Sequence, residues 1–231
     1  MTTRIATLNI RPHGSKFADA LGSRVLGYDA DILVVTGFRP DATGARLLGR
    51  LAEAGYSTSY PPTEPTPNTV LVAARLGIDE SWPFTEELDP YHLWCSAIGG
   101  VVLCAVSMPQ HTATLPYWEA LIGDAMASGV DLLVGDFNIG NSELEAPTGA
   151  QFIGPEMPGR LVGSGYIDVW RYLHPGAPEY SWFSRPGDNG FRSDYLFAVP
   201  EFAQRVGMCE FDHAPRLAGE TDHSALVAAV S

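Results

Sequence analysis

Apolar residues gather in short runs along this chain, at Arg4–Ile10, Asp31–Thr36, Thr69–Ala74, Gly100–Ser107, Asp131–Gly135, Tyr195–Val199 and Leu226–Val230. The runs are rich in β-branched residues and apolar at successive positions, the pattern of strands buried on both faces. Between them the apolar positions take helical spacing. Phe17–Leu26 follows Ser15, Gly44–Ala54 carries Leu47, Leu48 and Leu51 after Pro40-Asp41, and Tyr117–Ala127 sets Leu121, Ile122 and Met126 on one face. Strand–helix–strand alternation through Gly135 predicts an α/β domain with helices packed on sheets. Tyr60–Asn68 and Asn141–Arg160 are rich in proline and glycine and read as loops, and the second half holds fewer helices. With no repeat and no long linker, one domain over 1–231 is expected.

Composition narrows the class. The 231 residues suffice for a full apolar core, and the longest apolar run, Ala97 to Met108, is too short to cross a bilayer. Cys95, Cys104 and Cys209 are odd in number and form no CxxC pair, which suits a reducing compartment and disfavours a disulfide framework or zinc ribbon. The opening MTTRIATLNIRP runs into a strand-like segment without a signal-peptide pattern, so a cytoplasmic protein is expected. Fourteen basic against 27 acidic residues give a net charge of −13. That disfavours extended DNA binding, which depends on neutralising many phosphates. It leaves room for a local basic site, for which Arg160, Arg171, Arg185 and Arg192 are candidates.

Four segments carry candidate chemistry. Leu133-Val134-Gly135-Asp136-Phe137-Asn138 is an apolar strand ending abruptly in polar residues, where open α/β sheets build their sites. The same residues also read as a turn with local side-chain hydrogen bonds. Thr221-Asp222-His223-Ser224 precedes an apolar strand. Tyr180-Ser181-Trp182-Phe183 is followed by Gly190-Phe191-Arg192-Ser193-Asp194-Tyr195, where Arg192 and Asp194 flank a strand start and also read as an ion pair. Asn9 closes the first strand.

Taken together and in this order, GDFN, SWF, GFRSDYLF and TDHS resemble the endonuclease/exonuclease/phosphatase superfamily, nearest its exonuclease III branch. The resemblance spans Asn9 to His223. It implies a four-layer α/β sandwich, two mixed β-sheets face to face flanked by helices, and phosphoester hydrolysis with Mg2+ or Mn2+. Carried over, Asp136 orients and deprotonates the attacking water and Asn138 holds that water or a phosphate oxygen. His223 stabilises the phosphoryl group and Asp194 orients its imidazole. Asn9 and Asp222 lie at the metal, and Trp182 packs against a nucleotide or sugar. A carboxylate, an oriented histidine and a cation are the groups that phosphoryl transfer requires.

This chain departs from the family at the metal. Gly37 stands where a metal-binding Glu is expected, Arg11 where an Asp or Asn often stands, and Ser107 where an active-site Tyr is expected. Three readings stay open. The first is a metal-dependent phosphoesterase with a weakened ion, acting on a small phosphorylated molecule or a nucleic-acid end or lesion. The second is metal-independent chemistry on an anionic or small organic molecule, with the Arg11 guanidinium as a fixed cation near the metal position, although Arg11 reads equally as pointing to solvent; Trp182, Arg192, Arg11 and Ser107 are the substrate-binding candidates. The third is a pseudoenzyme that binds without turnover. Under the first, Gly37→Glu is expected to tighten magnesium binding. Among other residues, His111 lies in a loop near the expected site, Asp168 is expected to pair with Arg171 or cap the following turn, and the acidic run Asp79–Glu87 is expected to be a solvated loop.

Overall fold

The structure is a computed structural model, and it describes residues 2–11, 18–62, 67–140, 145, 153–183 and 190–231. Ser15, Phe17 and Arg185 lie outside the described residues, as do parts of the two expected loops. One sheet comprises β1 (Thr3–Asn9), β2 (Ile32–Phe38), β3 (Ser57–Ser59), β4 (Thr69–Ala74), β13 (Val206–Asp212) and β14 (Ala225–Val230), in the order β13-β14-β1-β2-β4-β3. The other comprises β5 (Glu80–Pro83), β6 (Leu93–Ile98), β7 (Val101–Ser107), β8 (Leu132–Asp136), β9 (Ile167–Asp168) and β12 (Asp194–Ala198), in the order β5-β6-β7-β8-β12-β9. A ribbon of β10 (Trp182–Phe183) and β11 (Gly190–Phe191) stands beside them. Both sheets are mixed: β1–β2 and β7–β8 are parallel, whereas β1–β14 and β8–β12 are antiparallel.

The unbroken apolar runs are explained by four layers. Successive side chains point to opposite faces of a strand, and here both faces are dry. Ile5, Ile32, Val34, Leu103, Ala105, Leu132, Val134 and Leu196 meet between the sheets. Their neighbours Ala6, Leu8, Leu33 and Val35 face α1 (Ala18–Gly27) and α2 (Ala42–Glu53), through Leu21, Val25, Leu47 and Leu51. Cys104, Val106, Leu133 and Phe197 face α3 (Leu115–Asp124) and α4 (Met157–Gly163), through Trp118, Leu121 and Leu161. The turn-like Asp41 is the N-cap of α2, where it accepts hydrogen bonds from the Thr43 and Gly44 N–H groups. Among the described residues, no helix is long and apolar enough to cross a membrane.

Several expected boundaries move. The apolar run Ala97–Met108 is the end of β6, a two-residue turn at Gly99-Gly100 and then β7; both glycines have positive φ, as a tight hairpin requires. β5 lies inside the acidic stretch expected to be a loop, because pairing with β6 supplies its backbone partners and Trp82 packs inward. α4 starts inside the expected loop Asn141–Arg160, where Pro158 sits in the first turn and does not interrupt it. β13 alternates buried and exposed positions too irregularly to stand out in sequence.

Gly135 is the tightest backbone approach near the strand ends. Its φ is +142°, and a Cβ there would lie 2.0 Å from the Val106 carbonyl oxygen. Gly135→Ala is therefore expected to lower Tm by about 4–8 °C, the shift that roughly 2 kcal/mol of backbone strain gives a chain of this size. An unchanged thermal unfolding curve would show that the β7 backbone yields.

Candidate active site

One edge of the sandwich collects the polar strand ends. β1 and β8 finish there, at Asn9 and Asp136, while β12 and β14 begin there because they run antiparallel to those neighbours. Asp194 stands opposite Asp136 in the β8–β12 register, and Ser107 stands opposite Asp136 in the β7–β8 register. Asn9 Nδ2 joins the two sheets by donating to Asp136 Oδ2 at 2.8 Å. The segment around Asp136 divides its labour residue by residue. Gly135 permits close strand approach, Asp136 faces the site, and Phe137 is wholly buried against Trp118, Tyr195 and Phe197. Asn138 turns the chain with φ +52°.

Asp136 and His223 are 3% and 5% exposed. His223 Nδ1 bonds Asp194 Oδ2 at 2.9 Å, while Nε2 lies 4.0 Å from both Asp136 Oδ2 and Asp222 Oδ1. That leaves Nε2 facing a gap between two carboxylates, beyond direct hydrogen-bond reach. Asp222 Oδ1 and Asp194 Oδ1 are buried without a hydrogen-bond partner among the described residues. Burial pushes the Asp136 carboxyl up to about 6, reinforced by Asp194 and opposed by His223 and the hydrogen bonds from Asn138 and Asn9. For His223, burial disfavours the charged ring, but Asp194, Asp136 and Asp222 together overcome it and raise the imidazole to about 9. At neutral pH the centre is an imidazolium held between carboxylates.

Two residues that sequence reasoning quoted without assigning a role hold this geometry. Thr221 Oγ1 donates to the Asn9 carbonyl at 2.7 Å and accepts from the His223 N–H at 3.3 Å. Ser181 Oγ accepts from the Ser193 and Asp194 N–H groups at 3.0 and 3.1 Å, and its carbonyl accepts from Ser224 N–H at 2.7 Å. The signal was their position within the TDHS and YSWF segments.

Most of the expected residues meet here. Asn138 donates its N–H to Asp136 Oδ1 at 3.0 Å, but its Nδ2 is spent on the Met108 carbonyl at 2.5 Å, so it steadies the carboxylate. Trp182 Nε1 donates to Asp222 Oδ2 at 2.6 Å. Arg11 Nη2 lies 2.8 Å from the same Asp222 oxygen. His111 is exposed and has positive φ.

Arg192 departs from its expected place at the substrate. Its guanidinium is 1% exposed and bonded to Glu145 and Asp168, with Nε 2.7 Å from Glu145 Oε1. Tyr195 and Arg171 donate to the same Glu145 carboxylate, at 3.0 and 2.8 Å. Asp168 also caps α5 (Val169–Leu173), accepting from the Arg171 N–H as well as pairing with Arg192. Arg160 pairs with Glu119. The described members of the expected basic patch are thus neutralised within the protein.

Asp136, Asp194 and His223 offer three buried ligand atoms within 4.8 Å of one another, a group that could hold a metal ion. At the position expected for magnesium or manganese, Asn9 and Asp222 leave one side-chain oxygen without a hydrogen-bond partner among the described residues, Asp222 Oδ1. A hard cation needs several free oxygen ligands. Asn9 Oδ1 accepts the Arg11 N–H at 2.9 Å, Asp222 Oδ2 is held by Trp182 and Arg11, and Gly37 offers no side chain.

Gly37 is not simply an absent ligand. It sits in a bulge where the β2–β4 register shifts, with φ +69°. A Cβ there would lie 2.7 Å from Asn9 Oδ1 and 3.0 Å from the Arg11 nitrogen. The expectation that Gly37→Glu restores magnesium binding is therefore corrected, because the Arg11 backbone fills the space that side chain would need. Gly37→Glu is expected to lower Tm by several degrees and to show no additional thermal shift with magnesium, as measured by scanning fluorimetry. A variant stabilised by magnesium would contradict this.

No family model matches the chain, and the search of curated proteins returned no match. Solved structures do match over nearly the whole length. An AP endonuclease from Archaeoglobus fulgidus is 21% identical at TM-score 0.83, covering 98% of both chains. A 3' phosphatase (NExo) from Neisseria bound to a product DNA hairpin is 20% identical at TM-score 0.84, covering 99% of both. The 3'-5' exonuclease NExo from Neisseria meningitidis is 20% identical at TM-score 0.83, covering 98% of both. The two six-stranded mixed sheets and their flanking helices are the fold that the chain shares with these AP endonuclease, 3' phosphatase and 3'-5' exonuclease structures.

Proposed function

We propose that the protein is a phosphoester hydrolase whose acid–base centre is Asp136, His223 and Asp194. The observation that carries this reading is the free Nε2 of a buried, Asp194-held imidazole, placed 4.0 Å from the Asp136 carboxylate. A binding protein has no need of a base and a charged donor facing one gap. The neighbours named as an AP endonuclease, a 3' phosphatase and a 3'-5' exonuclease support the same chemistry.

In this mechanism Asp136, steadied by Asn9 and Asn138, takes the proton of a water as the water oxygen attacks phosphorus. The P–O bond to the leaving alcohol breaks, the leaving oxygen takes a proton from solvent water, and Asp136 returns the proton it took to solvent before the next turnover. The His223 imidazolium donates from Nε2 to a non-bridging oxygen, where charge accumulates in the transition state. Asp194 keeps the ring charged and oriented. The net charge of −13 and the internally paired arginines favour a compact ester, a small phosphorylated molecule or a nucleic-acid end or lesion, over a long duplex tract. Trp182 stands at the rim, where its ring edge could pack against the group carrying the phosphate.

A panel of a 3'-phosphorylated DNA end, an abasic-site duplex and a generic phosphomonoester tests the reading. Asp136→Asn and His223→Ala are each expected to reduce turnover by about 100-fold or more with the far-ultraviolet spectrum unchanged. Wild-type turnover in either variant would overturn the assignment.

The pH profile follows from the same centre. Asp136 must be ionised, so the rate rises through about pH 6, and His223 must be charged, so it falls through about pH 9. A profile that keeps rising above pH 9 would remove the imidazolium from the mechanism.

A further inference from the structure

We infer that the Arg11 guanidinium is the built-in cation of this site, binding the phosphoryl oxygens of substrate so that hydrolysis needs no divalent metal. The inference rests on the hydrolase reading above and deepens it. Its first support is the coupling of Arg11 to Gly37. The Arg11 nitrogen and Cα would lie 3.0 and 3.1 Å from a Cβ at Gly37, so the absence of a side chain at one position makes room for the backbone of the other.

The second support is how firmly Arg11 is held. Its φ is +44°, a conformation that non-glycine residues adopt only under constraint. The constraint is visible: the Arg11 N–H donates to Asn9 Oδ1 at 2.9 Å, and the preceding Ile10 N–H donates to the Thr36 carbonyl at 2.9 Å. Asn9 thus fixes the Arg11 backbone with its oxygen while steadying Asp136 with its nitrogen.

The third support is where the charge ends. Nη2 is anchored 2.8 Å from Asp222 Oδ2, itself held by Trp182, yet the Arg11 side chain remains 44% exposed. A guanidinium carries five N–H donors in a planar fork suited to two phosphoryl oxygens, and one edge on Asp222 leaves others open to solvent. Arg171 and Arg192 are committed to Glu145 and Asp168, so among these described cations Arg11 and His223 are left to meet an anion at this edge. Arg11 Nη2 bonds one oxygen of Asp222 at 2.8 Å, and the His223 Nε2 lies 4.0 Å from the other. An oxyanion at that edge can therefore be met by both.

Calorimetric titration of inorganic phosphate into the chelator-stripped full-length protein, run beside hydrolysis assays in EDTA, tests the inference. Wild-type protein is expected to bind phosphate saturably without metal. Arg11→Ala should weaken binding about tenfold or more, and Arg11→Lys, which keeps the charge and loses the fork, should fall between. Turnover of whichever panel substrate is cleaved should be unchanged by EDTA and should drop in Arg11→Ala. Equal phosphate binding by wild type and Arg11→Ala, or turnover that requires added magnesium or manganese, would overturn it. Failure of the hydrolase reading looks different: Asp136→Asn would then retain wild-type turnover whatever Arg11 does.

Discussion

Asp136 and Asp194 stand opposite one another on adjacent antiparallel strands, both almost wholly removed from water. Two carboxylates so placed repel, and burial drives Asp136 toward its neutral form. The His223 ring resolves that conflict by bonding Asp194 and facing Asp136, so that its positive charge offsets theirs. In return the carboxylates keep the ring protonated well above the ordinary histidine range. Remove the ring and two acids share a dry edge; remove Asp194 and the ring loses both its orientation and its charge.

Much of the surrounding structure serves to hold that ring in place. The segment before β14 is tied to β1 through Thr221, and the start of β12 is tied to the Ser181 segment, whose carbonyl also receives the Ser224 N–H. Strands from both sheets converge on one edge because the antiparallel partners begin where the parallel strands end. The dry interior behind that edge raises the proton affinity of the Asp136 carboxyl, whereas the surrounding carboxylates raise that of the His223 imidazole against burial. A similar pair on an exposed loop would titrate near ordinary values.

An α/β domain with helices packed on sheets was legible from unbroken apolar runs, since strands buried on both faces cannot alternate with polar residues, while the stacking of two sheets face to face was implied by the family resemblance. What escaped were elements whose identity comes from partners. β5 is acidic and partly exposed, and it becomes a strand only by pairing with β6; α4 is disguised by its Pro158, Gly159 and Gly163. At this edge, Asp136, Asp194 and His223 stood out because their motifs end or begin strands and together resemble a known family, and the structure brings the three side chains together. The role of Arg192 was not legible. Its partner Glu145 lies far off in sequence within a loop-like stretch, and no local spacing announces a buried ion cluster. The relation of Gly37 to Arg11 was equally hidden, because it is a matter of space: the backbone of one occupies what a side chain on the other would need.

The chemistry of this site turns on the protonation state of His223, and nitrogen-15 NMR of the labelled imidazole across pH measures it directly. The structure predicts both ring nitrogens protonated at pH 7, a transition near pH 9, and a marked downward shift of that transition in Asp194→Asn. A ring that is neutral at pH 7, or a transition indifferent to Asp194, would contradict the electrostatic centre described above.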